Sequence, residues 1–340
     1  MAANVMFGQL GRRRADRVFR ERFSVQNISE EEIRRRYRFE KESIKQIVDL
    51  LDPIIGHRTR RSQALSTELQ VLISLRYYAS GSFLEVVGDT VGVNKSTVSR
   101  VVRKVSRALV SLAHRFIRWP ADDELTIIKN EFFNLAGFPG VIGCIDGTHV
   151  RIQAPSQNEP AYVNRKGFHS VNVQAICDYT GRFTNIVARW PGSTHDSHIF
   201  RMSGIRQTIE EKFHSIKDGV VLGDSGYACK PYLMTPYLRP STPAQERFNS
   251  AHSKTRVTIE RAFGWWKRRF HVLHTEIRMT PERVCTVIGA CAVLHNLAIL
   301  FREPLADEDQ DLDVDGNIQG QYKGPEDGKN IRNYITQHYF

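Results

Sequence analysis

The chain has 340 residues, 41% of them hydrophobic and 25% charged, a balance that fits globular cores in two or three domains. No run of about 18 apolar residues is present and the N-terminus is polar and basic, so neither a membrane span nor a secretory signal is expected. The net charge of +11 lies wholly in residues 1–120, which hold 23 Lys and Arg against 12 Asp and Glu, and this asymmetry favours a polyanion, most commonly a nucleic acid.

Residues 1–28, with Arg12-Arg13-Arg14, read as a basic flexible arm. Ser29-Glu30-Glu31-Glu32 fits a capping box that opens a helix. A second helix places Ile44, Ile47, Val48 and Leu51 on one face and is expected to end near Pro53; a third runs from about Ser66 to Ser80-Gly81. A short helix from Phe83 to Thr90, the turn Val91-Gly92-Val93-Asn94 and a long helix from Lys95 to Leu112 follow. The long helix buries Val98, Val101, Val102, Val105 and Leu109, leaving Ser96, Thr97, Arg100, Arg103, Lys104 and Arg107 off that stripe. This is the pattern of a DNA-binding helix-turn-helix, although a hairpin that only packs a core also fits it. In the DNA reading Ser96, Thr97 and Arg100 face base edges, Arg103, Lys104 and Arg107 contact the phosphates, and Lys95 belongs to the same DNA-binding set.

From about residue 135 the pattern turns to strands: Val141–Ile145, then Val171, Val173, Ala175 and Cys177 in alternation, a turn at Asp178–Gly181 and a return strand Phe183–Trp190. A helix around His198–Ile205, a strand Val220–Leu222, a helix resuming near Thr255 and an apolar helix over 281–301 complete an α/β domain with a mixed sheet. The expected domains are the arm (1–28), an all-α helix-turn-helix region (29–120), a catalytic domain (121–302) and an acidic C-terminal tail (303–340). The five cysteines include no Cys-x-x-Cys pair and read as reduced, mostly buried thiols.

Four acids carry the chemistry. Asp146 ends the first strand of the domain and Asp224 the strand after the helix, so the two emerge at one sheet edge if those strands are neighbours. Glu260 shares a helix face with Arg256, Gly264 and Lys267, opposite Ile259, Phe263, Trp266 and Phe270. Asp196 is the fourth. Singly, each has a plain explanation: a turn cap at Asp146, a capping box opened by Ser193 for Asp196, turn chemistry at Asp224 and a surface position for Glu260. Together, in a basic chain, they point to a hard divalent cation and phosphodiester cleavage. Ser225 in Gly223-Asp224-Ser225-Gly226 is a poor match to a serine-protease turn because Tyr227 follows, and the Asp311-x-Asp313-x-Asp315 run lacks the Glu that a calcium loop needs.

The blocks Gly143-Cys144-Ile145-Asp146-Gly147-Thr148-His149, Tyr162-Val163-Asn164-Arg165-Lys166-Gly167, Pro191-Gly192-Ser193-x-His195-Asp196-Ser197, Gly223-Asp224-x-Gly226-Tyr227 and Ile259-Glu260-Arg261-x-Phe263-Gly264 occur in this order. Over residues 60 to 300 the chain resembles the PIF/Harbinger superfamily of DDE transposases, which includes the Harbinger transposase-derived nucleases of animals. The resemblance implies a ribonuclease-H-like domain with two Mg²⁺ or Mn²⁺ ions per site. It implies an acidic triad of Asp146, Asp224 and Glu260, with Asp146 bridging both ions and Asp196 a further acid near them. It also implies cutting at transposon ends with transfer of the freed 3′-OH to target DNA or, alternatively, a domesticated nuclease or DNA-binding regulator without transposition. Asn164, Arg165, Lys166, Arg256, Lys267, His149 and His195 are expected around the substrate. A homodimer, a nuclear setting and a Myb-like DNA-binding partner protein are further expectations.

Overall fold

The computed structural model describes residues 28–57, 64–214, 217–304 and 326–340; the arm over 1–27 and the acidic run over 307–315 lie outside the described residues. The Ser29 hydroxyl accepts from the Glu32 amide at 3.2 Å and opens α1 (Glu30–Tyr37). α2 (Lys41–Ile55) buries Ile44, Ile47, Leu51 and Ile55 and runs two residues past Pro53, where the sequence predicts its end. A proline in the last turn removes a single backbone donor, and the helix stops at Gly56 directly afterwards. α3 (Thr67–Ser80) starts on a Ser66 cap and closes on Gly81 at φ 63°, a left-handed position that glycine adopts without strain. It is the most deeply buried helix of this region, and α1, α2, α4 (Leu84–Thr90) and α5 (Lys95–Ser111) pack around it. Asn94 caps α5 by accepting from the Ser96 amide, and the predicted stripe of Val98, Val101, Val102, Val105 and Leu109 is buried.

Two helices absent from the sequence reading follow, α6 (Ala113–Phe116) and α7 (Asp122–Ala136). A five-stranded sheet comprises β1 (Val141–Arg151), β2 (Ser170–Cys177), β3 (Phe183–Pro191), β4 (Val220–Leu222) and β5 (Leu233–Met234), with α8 (Glu159–Tyr162) in the β1–β2 connection. Its order is β3-β2-β1-β4-β5; β1, β2 and β3 form an antiparallel meander, and β4 and β5 run parallel to β1. This mixed α/β arrangement is consistent with a ribonuclease-H-like DDE domain. Between β3 and β4 lie two helices, α9 (Asp196–Arg201) and α10 (Gly204–Lys212), where the sequence predicts one. They cover one sheet face with Ile142, Ile145, Ile176 and Val221.

The other face carries Val171, Val173, Ala175 and Cys177 and packs on α11 (Pro243–Arg269) and α12 (Pro281–Leu300). α11 starts twelve residues before the expected Thr255, with Thr242 as its N-cap and Pro243 at N1. Among the described residues α12 is long and apolar enough to cross a membrane, yet it is mostly buried against α5, β3 and α11, which makes it a core helix. No linker separates the helical region from the sheet. α5 packs along α12, the Arg269 guanidinium donates to the Arg38 carbonyl at 2.8 Å, and Glu303 accepts from the Glu40 amide at 2.9 Å.

The C-terminus also departs from the expected acidic tail. α13 (Glu326–Tyr339) docks on β5 and α11 with Ile335 fully buried, and Phe340 meets Phe138 and Phe248. All five cysteines are free thiols, four of them buried.

Candidate active site

β1 and β4 pair in parallel up to Cys144↔Leu222, where β4 ends. Asp224 follows two residues after Leu222 and caps its own turn by accepting from the Gly226 amide at 3.0 Å. Asp146 sits two residues past Cys144, so both carboxylates open onto the crevice at the end of β4. The sequence places Asp146 at the end of its strand; instead β1 continues to Arg151, because the register from Cys144 to Arg151 pairs without a gap with Cys177 to Ser170 of β2.

α11 lies across this crevice. Its buried face carries Thr255, Thr258, Ile259, Ala262, Phe263 and Trp266, which turns Arg256 and Glu260 towards β1. Arg256 donates to Asp146 Oδ2 at 2.6 Å and pairs with Glu260 one helical turn on. Asp196 approaches from the opposite face of the sheet. It opens α9 as the first helical residue, so the Ser193 capping box is not formed, and its carboxylate lies against Gly147, where a Cβ atom would come within 2.3 Å of Oδ1. Glycine is needed here because any side chain would expel the acid.

The electrostatics match this crowding. Burial pushes the Asp146 carboxyl up to about 7, with Asp224 and Asp196 adding to the rise and Arg256 opposing it. Burial likewise raises Asp196, against the hydrogen bond from Asn172. The buried Tyr227 phenol is pushed far up by burial, and the charges of Asp196, Asp146 and Asp224 add to the rise.

Among the described residues no three His, Cys, Asp or Glu side chains form a ready metal-binding group, and the Arg256 guanidinium stands between Asp146 and Glu260. The donor chemistry nevertheless fits Mg²⁺ or Mn²⁺: Asp146 and Glu260 share the Arg256 guanidinium, Asp224 and Asp196 act on the Asp146 carboxyl, and hard cations take oxygen ligands of this kind.

Arg165 and Lys166 are exposed at the tip of a tight turn closed by the Val163↔His169 bridge, within electrostatic reach of His149, and Arg165 also acts on Asp196. Asn164, expected at the substrate, is 5% exposed and spends its side chain on the turn itself, accepting from the Lys166 amide and donating to Ser170 Oγ. Lys267 donates to the His149 carbonyl at 2.9 Å, and burial lowers its pKa to about 8; His149 bonds Ser170 Oγ, and burial lowers its pKa to about 4. His195 is the exposed N-cap of α9 beside Asp196.

The α5 residues are not part of this cluster. Arg103 and Arg107 line a cleft of about 260 Å³ between α5 and the start of α12, while Arg100 folds back on Ser96 and Thr97. Lys104 is held by the Ile55 carbonyl at 2.6 Å, and Lys95 lies 3.9 Å from Glu85.

Three buried residues at the site escaped the sequence reading: Asn172, Gln174 and Tyr227. The signal for the first two was two amide side chains at alternate positions of the otherwise apolar run Val171–Ala175.

Residues 145–296 match the family described as DDE superfamily endonuclease. A Homo sapiens protein named "Putative nuclease HARBI1" is 40% identical over 82% of this chain and 80% of its own length. The chain belongs to the DDE superfamily of endonucleases, in the branch of the Harbinger-derived nucleases. A Bos taurus protein of the same name is 39% identical over 82% of this chain and 80% of its own. "Protein ALP1-like" of Arabidopsis thaliana is 32% identical over 73% of this chain and 63% of its own. No solved structure gives a significant match.

Proposed function

We propose that this chain is a divalent-metal-dependent endonuclease that cuts DNA without completing transposition. The observation that supports this reading is the Arg256 guanidinium joining Asp146 of β1 to Glu260 of α11 beside the end of β4, with Asp224 and Asp196 acting electrostatically on the Asp146 carboxyl. Membership of the endonuclease family supports cleavage, and the animal relatives bear the name of a nuclease, which favours this reading over full transposition.

In this reading the domain is ribonuclease-H-like, and Asp146, Asp224, Glu260 and Asp196 would hold two Mg²⁺ or Mn²⁺ ions. The ions, when bound, supply activation of water and charge stabilisation of the leaving 3′ oxygen in an in-line displacement. The chain's own residues do the rest. Arg256 offsets the repulsion between Asp146 and Glu260, Arg165 and Lys166 draw in the scissile phosphate, and Lys267 fixes the backbone of β1 at His149. Neither histidine is needed as a base.

α4, its turn and α5 act as the helix-turn-helix, with Arg103 and Arg107 on the DNA phosphates. Nuclear localisation, a homodimer that processes two ends together and a Myb-like DNA-binding partner belong to the same reading. The transposase reading adds one step by the same acids, attack of the freed 3′-OH on target DNA.

The test incubates the purified chain with terminal-repeat DNA and Mg²⁺ or Mn²⁺, comparing wild type with Asp146→Asn and Glu260→Gln. Nicking by wild type alone supports the nuclease; binding without nicking by any of them makes the chain a DNA-binding regulator. Joining of cut ends to added target DNA would restore the transposase.

A further inference from the structure

We infer that Gln174, with Asn172 beside it on β2, is a positioning residue that sets where Asp196 and the Asp224 turn stand relative to Asp146. The inference rests on the nuclease reading of this site.

Both side chains project from β2 to the face covered by α9, and each is 2% exposed. The register puts Gln174 directly opposite Gly147 and Asn172 opposite His149. Gly147 supplies the space into which Asp196 fits, and Gln174 supplies the opposite wall. Gln174 Nε2 donates to the Asp196 carbonyl at 2.8 Å and to the Tyr227 hydroxyl at 2.9 Å. Tyr227 closes the turn that begins at Asp224, its amide reaching the Asp224 carbonyl at 3.3 Å. One amide group therefore ties both acid-bearing segments to the strand beside Asp146.

Asn172 secures the carboxylate itself. Its Nδ2 donates to Asp196 Oδ1 and to the Thr194 carbonyl, each at 2.8 Å. Its Oδ1 is buried with no hydrogen-bond partner. An orphaned buried acceptor is destabilising, so this orientation is held by the two acceptors on the nitrogen side. Purely structural packing at these positions would be met by apolar residues, as at Ile176 two positions on along the same face. Two buried amides that spend their donors on acid-bearing segments are what holding carboxylates at fixed spacing requires, and such outer partners tune affinity for a cation.

The test uses the full chain with Mn²⁺ as probe, in the absence of DNA. Gln174→Met keeps length and removes both donors. Its Mn²⁺ affinity, measured by electron paramagnetic resonance titration, is expected to fall roughly 10- to 100-fold. Metal-free stability should fall as well, because the Asp196 carbonyl and the Tyr227 hydroxyl lose a buried donor, so the titration is made where the variant is folded; in the nicking assay kcat should drop with KM for DNA unchanged. Tyr227→Phe removes only the hydroxyl that Gln174 holds; it should weaken Mn²⁺ binding by itself and add nothing in the Gln174→Met background. Mn²⁺ affinity unchanged in both single variants, while Asp146→Asn loses it, overturns the positioning role and leaves the nuclease reading intact. Wild type and Asp146→Asn binding Mn²⁺ equally overturns the metal site itself, and the positioning role with it. Should Gln174→Met fail to fold, the Tyr227→Phe titration decides alone.

Discussion

Arg256 and Asp146 lie 110 residues apart in the chain and meet across 2.6 Å, and the same guanidinium pairs with Glu260 on its own helix. One cation thus holds together two carboxylates that repel each other, and its loss should be felt most when no metal ion is present. Arg256→Met is expected to cost about 2–3 kcal/mol, below the roughly 3–5 kcal/mol for breaking a fully buried pair, because 19% of the side chain remains exposed. Urea unfolding with and without Mn²⁺ checks this: the deficit should shrink as Mn²⁺ replaces the missing charge.

Gly147→Ala tests the fit of Asp196. The added methyl meets the carboxylate at 2.3 Å, so Asp196 must move, at a cost of about 1–3 kcal/mol. Mn²⁺ affinity should fall with stability, whereas Gly137→Ala, where a methyl group meets nothing within 4 Å but the backbone has φ 71°, should lower stability alone.

Acid sensitivity has a source far from the acids. His295 is fully buried in α12, donates Nε2–H to the Gly181 carbonyl at 2.9 Å, and is pushed by burial down to about 4. The unfolded chain takes up this proton first, so the stability it contributes is full above its ordinary pKa of about 6.5 and is lost as pH falls from there towards 4. His295→Gln should flatten the acid limb of a stability-against-pH profile by up to about 3 kcal/mol. Some slope should remain, since His252 is shifted in the same direction by burial.

Basic residues of α5 should differ in their salt response. Arg103→Ala and Arg107→Ala should each reduce the log–log salt slope of DNA binding by about 1, as for a lost phosphate contact. Lys104→Ala should change it less, because its ammonium is already held by the Ile55 carbonyl. Slopes unchanged from wild type in all three would remove α5 from the DNA surface.

α13 contributes to the fold of the catalytic domain. Ile335 is completely buried, and Ile335→Ala should lower stability by about 2–4 kcal/mol in chemical unfolding.

Much of this fold was legible because its elements carry one-sided apolar patterns. The α5 stripe and the strands β2 and β4 stand where those patterns put them. The first half of α11 was missed because its buried positions, Phe248, Ala251, His252 and Thr255, include two polar residues, so the helical spacing shows no apolar stripe. β1 was cut short because Gly147-Thr148-His149 looks like a turn, and only pairing with β2 keeps it extended. Asn164 is expected at the substrate beside Arg165 and Lys166, but its amide closes the turn that displays them.

The sequence by itself determined the acids, the basic first third and the family, since each is written in residue type and local order. The tertiary structure decided their relations: that β4 stops beside Asp146, that Arg256 spans two carboxylates and that Gly147 makes room for Asp196. These depend on register and packing between segments far apart in the chain, and residue type carries no record of which distant segment will fill the space beside it.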